Sequence, residues 1–541
     1  MLRGNPEPTA GARRPRASGP TGCVPIGEWA DLESSNERGL AADRVAMTVK
    51  ESTKRYEPTW ESVEEHPLPA WYDDAKLGIF LHWGLYSVPG WAPQVPDIQQ
   101  MLRTEGPRSM LSHNQYAEWY LNSMCVPDSP TRRHHLETYG NVPYDTFVQT
   151  FNEQSARADL EELAGVCRDA GARYVVLTTK HHDGFTLWPS ERPHPAKGRY
   201  HAERDLVAEM GEAVRNQGMR MGLYYSGGYD WPFNDALLTN PADAMLAVPT
   251  GPEYLAYATA HMRELIERYE PSVLWNDICW PAGGNLAELF AEYYNTVPEG
   301  VINDRWLQPT GPRNRVTDTI ARGAGNVMQA TWKFLPEGWK SLTFPAATHY
   351  DFNTPEYATF DDIEATKWES TRGVGHSFGA NRNERPEDIV TATGLIRSFC
   401  DIVSKNGNLL IGIGPDPSGR IPTEQRAPLE GLGEWMAING EAIYGSRPWT
   451  VPGTKTSEDT EVRFTAGEGM VYAMLIEAPG RQRFRLRDTD ASDVTGVRLL
   501  GCDEALHWDR RGGSLEVTLP ERLAVSAAHV LAIEGSLRSR S

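Results

Sequence analysis

Two adjacent histidines and an aspartate, His181, His182 and Asp183, follow the apolar run 174–179 and precede a glycine. Imidazole and carboxylate groups bind metals, move protons and hydrogen-bond ligands, so this cluster has the side chains for several chemistries. The run is rich in β-branched and aromatic residues, which predicts a buried strand with the cluster at its carboxyl end. Ligands bind at that end of the strands in parallel α/β folds. A solvated loop would also be polar, so these residues alone do not distinguish a ligand-binding site from a loop.

Four further strand-like runs also end in polar and aromatic side chains. Core strands are more often followed by turn-forming residues. Because the carboxyl ends of parallel strands meet at one edge of the sheet, these side chains predict a single aromatic-lined pocket at the mouth of the fold. The residues concerned are His82-Trp83, Tyr224-Tyr225, Trp275-Asn276-Asp277 and Asp304-Arg305-Trp306.

One chemistry open to this pocket is metal-dependent hydrolysis, with His82, His181, His182 and Asp183 as ligands. Successive side chains on a strand point to opposite faces, so adjacent histidines could share a metal only from an irregular strand end. Barrel metal sites more often use spaced pairs such as His-x-His. A metal-dependent barrel hydrolase therefore remains an alternative, but the less favoured one.

Carbohydrate chemistry fits the aromatic residues better. A non-catalytic carbohydrate-binding protein needs aromatic surfaces without buried carboxylates, whereas a glycosidase also needs two carboxyl groups that flank the bond. Asp277 ends the apolar run 272–277 between Trp275 and Trp280. It is either a hydrogen-bonded structural residue or a nucleophile held rigidly by its strand, and its position is equally compatible with both interpretations.

The elements that position these residues alternate between strand-like and helix-like runs from residue 47 to residue 447. This alternation predicts a parallel sheet with crossover helices, and the number of units favours a (β/α)8-type barrel over an open sheet. The predicted strands are 77–83, 174–179, 221–226, 272–277, 301–305 and 408–413, and the predicted helices are 160–171, 206–218, 254–270 and 287–298.

Three other parts of the chain differ from this pattern. Residues 1–46 are rich in Pro, Gly and Arg, which predicts a disordered tail. Residues 311–346 are predicted to form a long loop on the face of the barrel where the strands end in the pocket. Residues 448–541 contain short alternating runs separated by Gly, Pro and Asp, such as 461–467 and 470–477. This pattern predicts a C-terminal antiparallel β-sandwich domain.

The bulk composition limits the partners and the compartment. A chain of 541 residues is too long for one compact core, which predicts two domains. The formal net charge of −20 argues against nucleic acid or an anionic membrane as a partner. No apolar run reaches the ~20 residues needed to span a bilayer. The six cysteines lack CxxC spacing, which argues against a zinc ribbon and favours a reducing, cytoplasmic location.

Several sequence blocks, in order along residues 70–445, resemble the retaining α-L-fucosidases of glycoside hydrolase family 29. The blocks HWGLYS, KHHDGF and WND are highly specific together, although each alone is a weak signal. The resemblance implies a catalytic (β/α)8-like barrel followed by a β-sandwich. It also implies hydrolysis of terminal α-L-fucosyl residues through a covalent fucosyl-enzyme. The full set of blocks comprises residues 74–93, 116–120, 174–188, 223–231, 273–281, 303–306, 367–384 and 401–422.

The resemblance further implies a role for individual residues. Asp277 corresponds to the nucleophile that attacks the anomeric carbon. The position of the acid/base varies within the family, and residues 311–346 are inserted ahead of it here. It corresponds to Glu356 in the block DFNTPEY, with Glu369 in KWES as the runner-up. The implied substrate-binding residues are His82, Glu118, His181, His182, Tyr224, Trp275 and Arg305.

Double displacement of this kind requires no metal and no organic cofactor. The partner that the resemblance implies is a fucosylated oligosaccharide or glycoconjugate. The sequence does not fix the linkage, the aglycone or the capacity for transglycosylation, and it leaves a homo-oligomer open.

Overall fold

Seven parallel strands of mainly apolar residues form the central sheet, in the order β5-β4-β3-β2-β1-β7-β6. The structure is a computed structural model that describes residues 54–95, 98–310, 313–336 and 347–539. Every residue of β1, β2, β4 and β7 is buried, as expected for parallel strands covered on both faces. The strands are β1 Leu77–Leu81, β2 Tyr174–Lys180, β3 Arg220–Ser226, β4 Val273–Asp277, β5 Val301–Ile302, β6 Trp368–Gly373 and β7 Gly407–Ile413.

A short irregular segment, residues 352–356, joins the two edges of this sheet. Phe352 forms a parallel bridge with Asn303 just after β5, and the bridges Asn353–Trp368 and Glu356–Thr371 connect the same segment to β6. Pro355 has no backbone N–H to donate, which limits regular pairing here. We call residues 352–356 the closing segment. It occupies the eighth position of the ring, so the predicted (β/α)8-type barrel is confirmed with one irregular member.

Helices surround the barrel, and the four predicted ones are present. Three of them begin where an acidic or amide side chain caps the first turn: Asp159, Asp205 and Asn285 each accept a hydrogen bond from a backbone N–H three residues later. The helices are Trp60–Val63, Ala70–Ala75, Ile98–Glu105, Pro107–Ser112, Tyr120–Cys125, Pro130–Tyr139, Phe147–Ser155, Leu160–Asp169, Leu206–Asn216, Asp243–Leu246, Pro252–Tyr269, Leu286–Thr296, Arg315–Thr331, Ala392–Ser404 and Thr423–Asn439.

The prediction of a long loop over 311–346 is wrong for its central part, which is the helix Arg315–Thr331. Asn314 caps this helix by accepting hydrogen bonds from the N–H groups of Val316 and Thr317. Two glycines within the helix weaken its sequence signal, because glycine disfavours helix interiors. Its contacts are with other segments of the chain: Arg322 pairs with Asp243 at 3.0 Å, and Gln329 accepts from the backbone N–H of Arg108 at 2.8 Å.

Antiparallel strands follow the barrel and form two sheets, in the orders β12-β15-β10-β9-β8 and β11-β14-β13. Apolar residues from both sheets, including Phe464, Val471 and Val517, share one core, so the predicted β-sandwich is confirmed. The tail predicted at 1–46 lies outside the described residues. The strands are β8 Arg447–Lys455, β9 Glu461–Gly467, β10 Met470–Leu475, β11 Arg483–Arg485, β12 Thr489–Leu499, β13 His507–Arg511, β14 Ser514–Thr518 and β15 His529–Ser539.

Candidate active site

Asp277 is the last residue of β4, and three donors fix its carboxylate. The Tyr224 hydroxyl donates to Oδ2 at 2.8 Å, Arg305 Nη1 donates to Oδ1 at 3.0 Å, and the backbone N–H of Ile278 donates to Oδ1 at 2.8 Å. Ile278 has a φ of 73°, a left-handed conformation that is unusual for a β-branched residue. Such strained backbone occurs preferentially at functional sites. The Asp277 side chain remains 12% exposed, so this rigidly held carboxylate can reach a ligand.

Arg305 lies between two carboxylates. Its Nη1 is 3.0 Å from Asp277 Oδ1 and 2.7 Å from Glu356 Oε1. The rest of the guanidinium donates to the hydroxyl and the carbonyl of Thr354 in the closing segment and lies 4.7 Å from the Trp275 ring centroid. Burial alone would lower the pKa of Arg305, but the charges of Glu356 and Asp277 hold it above its ordinary value. Arg305 is therefore a fixed cation that brings the two carboxylates together.

Glu356 ends the closing segment on the same side as Asp277. Its side chain is 30% exposed, the most open of the charged groups in contact with Arg305. The next residue, Tyr357, has a positive φ of 48°, and its hydroxyl is hydrogen-bonded to the backbone of Gly373 and Gly375. These contacts anchor the end of the closing segment, while the Glu356 carboxyl itself stays accessible.

Three histidines line the pocket beside Asp277. The ring centroids of His82 and His181 are 5.9 Å apart, and those of His181 and His182 are 4.0 Å apart. Burial lowers the pKa of His82 to about 3 and holds the pKa values of His181 and His182 well below their ordinary value. The buried Nδ1 atoms of His82 and His181 have no hydrogen-bond partner among the described residues. Neutral imidazoles with unused polar atoms are suited to binding the hydroxyl groups of a ligand.

Asp183 does not face this pocket group, because residues 181–183 follow β2 in a turn and do not continue the strand. Its carboxylate accepts from the Tyr144 hydroxyl at 2.8 Å and from the backbone N–H of Phe185 at 3.1 Å, and the residue is buried. Within the described ranges, no cluster of three or more His, Cys, Asp or Glu side chains has the arrangement to hold a metal ion. His82, His181 and His182 share the pocket, but these three and Asp183 do not have the arrangement of a metal site.

Tyr224 and Trp275 form an aromatic floor beneath Asp277. Their rings stack with centroids 5.5 Å apart, and Tyr224 also stacks on His181 at 5.5 Å. Burial, together with the Asp277 charge, holds the pKa of Tyr224 well above its ordinary value. Its hydroxyl therefore keeps its hydrogen and remains a donor to the carboxylate.

Glu118 is buried in the wall of the pocket. It accepts from the Ser377 hydroxyl at 3.0 Å and from the backbone N–H of Gly379 at 2.9 Å. Burial raises the pKa of Glu118 to about 7. Between its two partners in the chain, Phe378 packs against His82 with ring centroids 4.9 Å apart. Glu118 thus anchors the loop that carries an aromatic ring to the pocket.

Glu369, the runner-up for the acid/base, lies on β6 inside the barrel and is fully buried. It accepts from the hydroxyls of Tyr72 and Tyr174 and from Trp275 Nε1, the last at 3.2 Å. Burial raises the pKa of Glu369 to about 7. Its two oxygens are occupied by buried donors, unlike the accessible carboxyl of Glu356.

The arrangement of two adjacent carboxylates, neutral histidines and aromatic rings is that of a glycosidase pocket, and the family comparison decides which kind. The family model of α-L-fucosidases matches residues 44–441. The chain belongs to the α-L-fucosidase family. The model of the α-L-fucosidase C-terminal domain matches residues 455–534, in the β-sandwich.

Relatives of this α-L-fucosidase family member resemble it over most of its length. The α-L-fucosidase of Dictyostelium discoideum is 32% identical over 83% of this chain and 87% of its own. Tissue α-L-fucosidase of Bos taurus is 30% identical over 86% of this chain and 88% of its own. The Thermotoga maritima α-fucosidase, solved with a mechanism-based inhibitor, is 38% identical, with a TM-score of 0.74 over 89% of this chain and all of its own.

Sequence reasoning missed several residues that shape the pocket of this α-L-fucosidase family member. Ser226, Thr354 and Phe378 contact His182, Arg305 and His82, respectively. Ser226 ends a predicted strand, and Thr354 and Phe378 lie in blocks already noted for the family resemblance, but their residue types alone carry no chemical signal.

Among the described residues, no helix has the length and apolar character to cross a membrane.

Proposed function

We propose that this protein removes terminal α-L-fucosyl residues with net retention of configuration, with Asp277 as nucleophile and Glu356 as acid/base. The observation that carries the proposal is the shared contact with Arg305. One nitrogen lies 3.0 Å from an Asp277 oxygen and 2.7 Å from a Glu356 oxygen, so these oxygens cannot be further apart than the two distances together. Retaining glycosidases have carboxyl groups ~5–5.5 Å apart, and inverting ones ~6.5–9.5 Å. The geometry favours retention.

In the first step, a carboxylate oxygen of Asp277 bonds to the anomeric carbon as the glycosidic bond breaks. Within the part of the chain that the structure describes, Oδ1 accepts two hydrogen bonds and Oδ2 accepts one, from Tyr224. Oδ2 is therefore the oxygen with a lone pair available for attack. Glu356 gives its proton to the departing oxygen, and it then takes a proton from the water that releases fucose from the covalent intermediate.

Glu356 has to leave Arg305 for this step. A carboxyl group that donates a proton cannot at the same time be the ionised partner of a guanidinium. Substrate entry would displace the 30% exposed Glu356 side chain from Arg305, and the less accessible Asp277 would keep its contact. Arg305 then stabilises the nucleophile carboxylate, and Glu356 becomes free to carry the proton.

The sugar would be bound by the histidines and the aromatic floor. The Nδ1 atoms of His82 and His181 are enclosed, so a fucose hydroxyl would bind the opposite ring nitrogen, Nε2, of each. Rings such as Phe378 and Trp275 offer an apolar surface for the methyl group that replaces the hydroxymethyl group of L-galactose. A hydrophobic site rejects an added hydroxyl by ~10²-fold at best. We therefore expect fast hydrolysis of aryl α-L-fucosides and slower hydrolysis of α-L-galactosides. α-L-Rhamnosides have the same methyl group but lack the axial C4 hydroxyl, which would leave a buried histidine unpaired at a penalty of ~1–3 kcal/mol, so we expect almost no hydrolysis of them.

The test of this function is Asp277→Gly with added azide. Removing the nucleophile should lower turnover of an aryl α-L-fucoside by several orders of magnitude in a folded protein. Azide, which fits the space that the side chain leaves, should restore turnover and yield the fucosyl azide of inverted configuration. Azide added to the unmodified enzyme is the matched control and should give no such product.

NMR of the first sugar released by the unmodified enzyme should show α-L-fucose. Full activity of Asp277→Gly would remove the nucleophile assignment. Release of β-L-fucose first would contradict retention. Failure to hydrolyse the fucoside at all would contradict the choice of sugar.

We infer that the substrates are fucosylated oligosaccharides or glycoconjugates, supported by the family membership. The exclusion of nucleic acid and membrane partners and the open oligomeric state stay predictions. The cytoplasmic location also stays a prediction. It is supported by the cysteines in the described part of the chain, which are free thiols: Cys125, Cys167, Cys279, Cys400 and Cys502.

A further inference from the structure

We infer that Ser226 fixes the tautomer of His182 so that its Nε2, the nitrogen facing Asp277, carries no hydrogen. Ser226 Oγ is 2.7 Å from His182 Nδ1 and 2.8 Å from the backbone carbonyl of Tyr229. The carbonyl can only accept, so the single hydroxyl hydrogen of Ser226 is donated to it. Ser226 must then accept from His182, which places the hydrogen of the neutral ring on Nδ1.

A buried ion pair fixes the Tyr229 carbonyl that accepts the hydrogen bond from Ser226. Lys180 Nζ lies 3.0 Å from Asp230 Oδ2 and also donates to the Tyr229 carbonyl at 3.4 Å, with both charged side chains fully buried. The backbone N–H of Trp231 donates to the His182 carbonyl at 2.9 Å. The turn that carries the carbonyl is therefore tied both to a strand end and to the histidine itself.

Aromatic rings hold the imidazole in the same orientation. The rings of Trp119, Tyr229 and Trp231 meet His182 edge-on, with centroid distances of 5.3, 5.1 and 5.4 Å. Exchanging Nδ1 and Nε2 by rotating the ring would have to displace these three side chains. The hydrogen bond to Ser226 and the packing thus keep Nδ1 towards Ser226 and Nε2 towards Asp277.

The selected tautomer matters because Nε2 lies 3.9 Å from Asp277 Oδ2. With a hydrogen on Nε2, His182 would direct a donor at the oxygen assigned to attack, although 3.9 Å is longer than a hydrogen bond. Without it, Nε2 is an acceptor, and a sugar hydroxyl between the two groups has to be the donor. Ser226 is therefore a positioning residue, in an argument that rests on the proposed role of Asp277.

Ser226→Ala tests this inference. The variant removes the acceptor for the Nδ1 hydrogen, so the ring should shift towards the Nε2–H tautomer. We expect kcat for an aryl α-L-fucoside to fall about tenfold or more, the effect of roughly one hydrogen bond on the barrier, while KM changes less. Ser226→Thr keeps the hydroxyl and should restore most of the activity.

Ser404→Ala is the matched control. Its buried hydroxyl also donates to a backbone carbonyl, that of Asp401, at 2.8 Å, but its contacts are on an outer helix. Its kcat should equal that of the unmodified enzyme. A loss equal to that of Ser226→Ala would mean that deleting any buried hydroxyl has this effect, and would overturn the inference.

NMR of ¹⁵N-histidine-labelled enzyme reads the tautomer directly, with the His182 signals assigned from a His182→Gln spectrum. The unmodified, substrate-free enzyme should show hydrogen on Nδ1 and none on Nε2. Hydrogen on Nε2 would overturn the inference even if Ser226→Ala failed to fold. A shifted tautomer with unchanged kcat would also overturn it. The Asp277→Gly and azide experiment tests the proposed function separately, because that experiment does not depend on the tautomer.

Discussion

At the scale of single residues, the structure distinguishes the two glutamates that the sequence offers as candidates for the acid/base. Glu356 is 30% exposed and touches Arg305, whereas Glu369 has no exposed surface and accepts from two tyrosines and a tryptophan. A residue that exchanges protons with a leaving group and with water has to be reached by both. The accessible carboxyl satisfies this condition.

The leaving group distinguishes the two candidates. In Glu356→Ala, hydrolysis of fucosides with basic leaving groups should fall by ~10²–10⁴-fold, while activated aryl fucosides should be affected far less at the first step. Glu369→Gln should lower both classes by a similar factor. The measurement is kcat/KM over a series of aryl and alkyl fucosides. A leaving-group dependence seen with Glu369→Gln and not with Glu356→Ala would reverse the assignment.

Site residues could be predicted where reactive side chains stand next to each other, or next to other characteristic residues, in the sequence. Asp277 stands in an aromatic strand end and a specific block, and the histidines are adjacent in sequence, so both were accessible without a structure. The contact of Glu118 with Ser377 and the contact of Ser226 with His182 join residues far apart in the chain. No local pattern encodes such pairings, because they depend on how the strands and loops are arranged in space.

At the scale of elements, β6 brings a carboxyl group into the interior of the barrel. Glu369 has a pKa raised to about 7 by burial, against an ordinary value of 4.5. The folded state therefore holds this proton more tightly than the unfolded state does. Between these two pH values the folded protein binds more protons, so this group's contribution to the free energy of unfolding falls as pH rises.

Glu369→Gln should lack that fall. The difference in free energy of unfolding, unmodified protein minus variant, should be largest near pH 4.5 and should decline by roughly 1–3 kcal/mol towards pH 7. Chemical unfolding across this range measures it. Glu387→Gln, with a 65% exposed side chain, is the surface control for the substitution itself. A constant difference for Glu369→Gln would contradict the raised pKa.

Helices and strands were predicted correctly where the hydrophobic pattern and the residue composition indicate the same element. The strands β1, β2, β3, β4 and β7 are continuous apolar runs, and their predicted positions are confirmed within a few residues. β6 was not among the predicted strands, because its sequence WESTRG is polar and its burial comes from the interior of the barrel. The helix Arg315–Thr331 was missed although Val316, Ile320 and Val327 stand at helical spacing, because the two glycines within it are unfavourable in a helix interior.

At the scale of the whole molecule, that helix carries an exposed apolar stripe. Val316, Ile320 and Val327 lie at helical spacing and are 68%, 66% and 63% exposed, and Phe334 beyond the helix is 87% exposed. Contiguous exposed apolar surface favours association between molecules. Because these side chains make little contact with the rest of the chain, they contribute little to folding stability.

Replacing Val316, Ile320 and Val327 together with serine should therefore leave Tm and kcat unchanged and raise the protein concentration at which precipitation begins. Light scattering over a concentration series, with a thermal melt at each end, measures this. Val462→Ser, in the fully buried core of the β-sandwich, is the contrasting control and should lower stability by about 1–3 kcal/mol. A large fall in Tm for the triple variant would contradict the expectation.

The closing segment also bears on how enzymes of this architecture can diversify. Asp277 belongs to a regular strand whose ladder with β3 extends to the residue itself, so the proposed nucleophile cannot be moved without disturbing the sheet. Glu356 is attached to its neighbour by a single bridge, and the chain between β5 and this segment can gain or lose residues without altering any of the described strands. Insertions, deletions and exchanges can therefore relocate the proposed proton donor while the barrel and the proposed nucleophile are inherited unchanged.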